Sequence, residues 1–176
     1  HLGVRMRGCR AVQCAQAKGV LHLDLKPANV MVGRHGEVYL LDWGVAASFR
    51  ADAAPWLPQT SAIKAILGTP ASLSPDQAAG LGVAMGPHTD VFLLGALAHR
   101  IVTGRLPYRG DTFEDVLALA YECAPAEYEG SVPPELVSIL HKAMARSESE
   151  RYPSAEALRL ALEGFLQHRE SNAILA

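Results

Sequence analysis

The chain has 176 residues, 49% of them hydrophobic, and a formal net charge of −2. That is enough apolar chain for one sizeable core, so one domain or a large piece of one is expected. The near-neutral balance and the scattered basic residues exclude a nucleic-acid footprint and a polybasic membrane patch. The longest apolar run, residues 91–98, is far too short to cross a bilayer, and no secretory leader pattern opens the sequence. Cys9, Cys14 and Cys123 are odd in number and lack CxxC spacing, which argues against a disulfide framework or a zinc site. A reduced, cytoplasmic protein is therefore expected. Cys9 and Cys14 fall in a predicted helix, where a thiol usually serves as a small buried apolar group. The first residue is His1 rather than Met, as in a segment of a longer protein.

Leu2, Met6, Cys9, Val12 and Ala15 recur at steps of three and four, the stripe of an amphipathic helix ending at Gly19. A short extended run over 20–23 leads into a polar stretch over 24–29. There Pro27 bars a helix interior and biases Lys26 toward extended backbone. Residues 30–32, a glycine-bearing turn at 33–36 and residues 38–41 read as a β-hairpin. From Asp42 to about Gln77 periodicity is weak, and so long an irregular segment in a compact domain usually serves function. The remainder reads as helical. A helix over 90–103 carries Val91, Leu94, Leu97 and Ile101 on one face and ends at Gly104. Asp111 and Glu114 have capping-box spacing before a second helix. Pro133 and Pro134 precede a third, and Ser154 is the expected N-cap of the last.

The hairpin holds the residues with chemistry. Asn29 immediately precedes its first strand and Asp42 immediately follows its second, so antiparallel pairing sets them side by side at the open end. An amide oxygen and a carboxylate together are hard oxygen donors suited to Mg²⁺. Asp24 lies five residues before Asn29 on the same loop, and Lys26 adds a point positive charge. A base, a cation and a metal at one point are what phosphoryl transfer requires, because its catalysis is mostly positioning and charge neutralisation.

Residues 22–29, His-Leu-Asp-Leu-Lys-Pro-Ala-Asn, resemble the protein-kinase catalytic loop, and Asp42-Trp43-Gly44 resembles the DFG motif. Residues 68–76 resemble the substrate-docking segment that ends in APE. Residues 89–95 resemble the start of the long buried helix that anchors the catalytic loop. Residues 151–155 resemble a closing segment of bacterial eukaryotic-like (Hanks-type) Ser/Thr kinases. The motifs stand in family order, a far stronger signal than any one alone.

The resemblance implies an α+β protein kinase-like fold, here the C-terminal lobe alone, mainly helical with one small β-hairpin carrying the site. Residues 1–168 would form that lobe and 169–176 begin a C-terminal extension or linker. It implies a Ser/Thr protein kinase with ATP and Mg²⁺ as cofactors and a protein as signalling substrate. Asp24 would accept the hydroxyl proton, Lys26 would touch the γ-phosphate, and Asn29 and Asp42 would hold Mg²⁺. Met31 would form the floor beneath adenine, and Thr69 would bridge toward Asp24 and Lys26 and seat the substrate. His22 and Trp43 would stack, Asp90 would accept backbone hydrogen bonds from the catalytic loop, and Asp76 would pair with Arg151.

The glycine-rich phosphate loop, the strand lysine and the helix glutamate of the family's N-terminal lobe are not found in the sequence. An isolated chain is therefore expected to bind ATP weakly and to transfer phosphate negligibly. Leu23 stands where many of these kinases place an arginine that clasps a phosphorylated activation segment. Activity without phosphate on Thr60 or Ser61 follows as an expectation. Trp43, Asp76 and Ser72 replace the more usual Phe, Glu and Tyr. Two other readings are a pseudokinase scaffold and a small-molecule kinase of the aminoglycoside-phosphotransferase type. The retained Asp24, Lys26, Asn29 and Asp42 count against the first, and the docking segment with Asp90 counts against the second.

Overall fold

The opening apolar stripe forms α1 (Leu2–Ala17), which packs against the last helix and against the hairpin. The structure, a computed structural model, describes residues 2–52 and 55–174, with side chains over 8–52 and 55–171. Leu2 and Met6 of the predicted stripe therefore lie outside the described side chains. Cys9 and Val12 are buried as that stripe requires, but Cys14 is exposed on the opposite face. Gly19 then turns the chain in the left-handed region, at φ 75°.

Two short two-stranded sheets follow. The predicted hairpin is β2 (Val30–Val32) against β3 (Val38–Leu40), with Val30 opposite Leu40 and Val32 opposite Val38. The other sheet pairs β1 (Val20–Leu21) with β4 (Ala47–Ser48) and straps the start of the long irregular segment to the end of α1. That segment is a succession of turns with one short helix, α2 (Pro75–Ala78).

The centre of the molecule is α3 (Pro87–Thr103). It begins earlier than the predicted start at Asp90, because Pro87 supplies a pre-set first turn and Thr89 Oγ1 accepts the Gly86 N–H at 3.0 Å. It ends at Gly104, φ 71°, as expected. Residues 89–99 are buried without a break, so α3 is wrapped on all sides rather than amphipathic. Around it stand α1, α5 (Pro134–Ala143) and α6 (Ala155–Ile174), enclosing Leu25, Val91, Leu94, Leu140, Leu158 and Leu162. A Cβ on Gly95 would lie 2.9 Å from that of Ala143, so only glycine lets α3 and α5 approach this closely.

The remaining helix, α4 (Phe113–Glu122), is capped one residue later than the spacing predicts. Thr112 Oγ1 accepts the Asp115 N–H at 3.1 Å, and the Asp115 carboxylate accepts the Thr112 N–H at 3.1 Å. Asp111 and Glu114 take no part in that cap. Ser154 does cap α6, accepting the Ala157 N–H at 3.2 Å. That helix continues unbroken past residue 168. The fold is thus mainly helical, with its few strands in two separate two-stranded sheets.

Candidate active site

The loop that precedes the hairpin is fastened from behind by α3. The buried Asp90 accepts the backbone N–H groups of His22 and Leu23, each at 2.9 Å. Burial pushes the Asp90 carboxyl up, and the two amide hydrogens oppose that shift. Leu23 sits at φ 65°, a left-handed conformation costly for a residue with a Cβ. Both sides of its backbone are fixed: the N–H by Asp90 and the carbonyl by Gln77 Nε2 at 2.7 Å. Its side chain is fully buried against Leu21, Ala47 and Met85, with Ile63 of the irregular segment alongside.

His22 links this loop to the end of the hairpin. Its Nδ1 accepts the Asp24 N–H at 3.3 Å, which leaves Nε2 as the protonated nitrogen donating to the Leu41 carbonyl at 3.1 Å. Trp43 lies against the imidazole with ring centroids 4.6 Å apart and planes tilted by 46°.

Asp24 is held on both oxygens. Oδ1 accepts from Thr69 Oγ1 at 2.7 Å; Oδ2 accepts from Lys26 Nζ at 2.7 Å and from Asn29 Nδ2 at 3.3 Å. Lys26 also donates to Thr69 Oγ1 at 2.9 Å, which closes a triangle across more than forty residues of sequence. Burial raises the Asp24 pKa, but the hydrogen bonds from Lys26 and Thr69 and the Lys26 charge outweigh it, and the net shift is downward. A carboxyl lowered on folding stabilises the protein above its unfolded pKa. That contribution is lost as pH falls through the lowered folded value, so the clasp persists at neutral and mildly acidic pH.

Asn29 and Asp42 lie at the ends of the paired strands, and the Leu41 N–H donates to the Asn29 carbonyl at 2.8 Å. Asn29 spends its Nδ2 on Asp24, so Oδ1 is the atom available to a cation. The Asp42 carboxylate is exposed, with one oxygen accepting the Gly44 N–H at 3.3 Å. One amide oxygen and one carboxylate fit a Mg²⁺-type ion that keeps its other positions for water and phosphate oxygens. No cluster of three or more His, Cys, Asp or Glu suited to a metal occurs among the described residues. Met31, opposite Tyr39 in the hairpin, is half exposed.

Behind the loop, Asp76 and Arg151 form a buried ion pair at 2.8 Å. Arg151 also donates to the carbonyls of Ala145, His88 and Arg146. Thr89 Oγ1 donates to the second Asp76 oxygen. Sequence reasoning missed Thr89 and Gln77 as supports. The fully buried Gln77 ties the Leu23 carbonyl to that of Leu67, and its only local signal is its place three residues after Ser74, the capping-box spacing it satisfies. Gly68 lets this segment reach the loop: it has φ 108°, and a Cβ there would lie 2.8 Å from the Leu23 carbonyl oxygen.

A family model described as protein kinase domain matches residues 6–161. The chain belongs to the protein kinase family. The kinase is 32% identical over 173 residues to a probable serine/threonine-protein kinase of Streptomyces coelicolor, covering 95% of this chain and 24% of that protein. It is 34% identical to the serine/threonine-protein kinase PknB of Mycolicibacterium smegmatis, covering 88% of this chain and 24% of the relative. To Pkn1 of Myxococcus xanthus it is 37% identical, over 88% of this chain and 22% of that kinase. The chain thus spans about a quarter of the length of these relatives. ATP and a divalent metal are the general requirements of such a domain. No helix among the described residues is long and apolar enough to cross a membrane.

Proposed function

We propose that residues 1–168 form the C-terminal lobe of a Ser/Thr protein kinase that moves the γ-phosphate of ATP onto protein hydroxyls. The observation that carries this reading is the triangle of Asp24, Lys26 and Thr69, which fixes a carboxylate and an ammonium at one point. Asp24 orients the acceptor hydroxyl. With its pKa lowered it is a weak base, so it takes the proton late, as the new P–O bond forms. Lys26 leans on the γ-phosphate, and Thr69 seats the acceptor segment. Asn29 and Asp42 would hold Mg²⁺, which would supply charge neutralisation on the phosphates.

Met31, Val32, Tyr39, Leu41 and Trp43 are all exposed on or beside the hairpin. So much exposed apolar side chain in one place marks a covered surface. In the full-length kinase it is the seat of an N-terminal lobe that closes over adenine, with Met31 on the floor. The test is transfer from γ-labelled ATP by the full-length protein, offered a protein acceptor and, separately, small alcohols. Label is expected on protein alone, and residues 1–176 by themselves should transfer none. Preferred labelling of small alcohols, or turnover by the isolated chain, would overturn the reading.

Leu23 anchors the irregular segment by apolar packing where a charge clasp would need a phosphate. The double variant Thr60→Ala/Ser61→Ala of the full-length kinase should therefore keep its activity within about twofold, since no charge-assisted contact is removed. A loss greater than tenfold would show that a phosphate is required there.

A further inference from the structure

A cavity of ≈ 150 Å³ opens beside the triangle, with Lys26 and Thr69 in its wall. Its other walls are mostly apolar, with Leu25 and Pro27 from the loop, Ala96 and Leu97 from α3, and Pro107 just beyond that helix among them. No carboxylate lines it. Space exists because Ser72, Ala28 and Ala96 are small, and the Ser72 hydroxyl is turned onto the Thr69 carbonyl at 3.2 Å. An apolar hole of about this size is enough to hold a six-membered hydrocarbon ring. A larger cavity, ≈ 420 Å³ near Cys123, contains none of the catalytic-loop residues.

The charge at the mouth is one-sided. Of the two cations there, Lys26 is engaged by Asp24 and Thr69. Arg100, in the last turn of α3, is exposed, and its guanidinium has no hydrogen-bond or ion-pair partner among the described residues. The neighbouring Arg105 differs, being paired with Glu129 at 2.9 Å.

We propose that this cavity is a substrate-specificity subsite: it takes a bulky apolar side chain flanking the acceptor Ser or Thr, and Arg100 at its rim selects an acidic residue beside it. The proposal rests on the reading of Asp24 as the residue that orients the acceptor hydroxyl. Because Lys26 and Thr69 belong to both the triangle and the cavity wall, a peptide whose hydroxyl reaches Asp24 lays a neighbouring side chain at the cavity mouth. Burying one such side chain is worth enough to change selection by about tenfold. The solvent-exposed Arg100 contact is worth less, about threefold.

The test is phosphorylation of a degenerate Ser/Thr peptide library by the full-length kinase, its Arg100→Glu variant and its Ser72→Phe variant. Wild type should favour Leu or Phe over Gly by about tenfold at one flanking position, and Asp or Glu over Lys or Arg by about threefold at another. Arg100→Glu, an exposed change that leaves the fold intact, should invert the charge preference. Ser72→Phe fills the cavity and should remove the apolar preference. Wild-type phosphorylation with no flanking preference, or a charge preference unmoved by Arg100→Glu, overturns the subsite alone. Absence of transfer to every peptide, with a folded kinase, overturns the reading on which it rests.

Discussion

Replacing Asp24 by Asn in the full-length kinase is expected to lower kcat by about 10²- to 10⁴-fold, the range for loss of a positioned acid–base group. Asn keeps the size of the side chain and can still accept from Thr69, but it loses the charge that draws Lys26 to 2.7 Å. The lysine then loses the carboxylate that fixes it where the proposed mechanism has it meet the γ-phosphate. Nucleotide affinity should change by no more than severalfold, because the proposed mechanism puts Asp24 on the acceptor side and gives the metal to Asn29 and Asp42. Steady-state kinetics with ATP and peptide varied separately checks both parts. A fall of less than tenfold in kcat would remove Asp24 from the reaction, whereas a fall confined to ATP affinity would reassign it to the nucleotide.

The second large effect is on stability. Arg151→Ala is expected to destabilise the kinase domain by about 3–5 kcal/mol, the cost of breaking a buried ion pair from one side. Asp76 would remain buried without its cation, with only the Thr89 hydroxyl on its other oxygen. The carbonyls of Ala145 and Arg146 would also lose their donor, and Phe92 would lose the guanidinium stacked 5.0 Å from its ring centre. Removing both charges with apolar residues of similar length, Asp76→Leu with Arg151→Met, should cost less than the sum of the single changes. Urea unfolding of wild type, Arg151→Ala, Asp76→Leu, Arg151→Met and the double variant gives the comparison. A loss below 1 kcal/mol for Arg151→Ala would mean that the pair is not buried in solution.

Much of the site could be read from sequence because its decisive relationships are local. An antiparallel hairpin of two short strands places its flanking residues together, so Asn29 and Asp42 could be located from the strand pattern and the turn glycines alone. Lys26 and Asp24 lie two residues apart on one proline-stiffened loop. The supports that escaped are joined across long stretches of chain. Gln77 meets Leu23 over 54 residues, and β1 finds β4 only after the hairpin has turned the chain back. A lone buried glutamine or a two-residue strand has no periodicity to betray it.

Periodicity also misled where burial is complete. The helix α3 looks one-sided by its leucines, yet Thr89, Asp90 and His99 are buried too. Thr89 serves Asp76, Asp90 serves the loop, and His99 is paired with the Tyr128 hydroxyl at 3.0 Å. On α1 the opposite holds: Cys14 shares a helix with the buried Cys9 but not its face, so its chemistry gave no guide to its exposure. At α4 the two candidate caps differ by one residue, and only the hydrogen-bond geometry of Thr112 and Asp115 chooses between them.

In the proposed mechanism, one end of a small hairpin assembles the machinery for moving phosphate to protein hydroxyls. The most direct measurement is acid hydrolysis and phosphoamino-acid analysis of a protein labelled by the full-length kinase with γ-labelled ATP and Mg²⁺, wild type beside Asp24→Asn. The prediction is phosphoserine and phosphothreonine from wild type and a drop of at least a hundredfold with the variant. Equal labelling by the two proteins, or label that appears only on tyrosine, would contradict it.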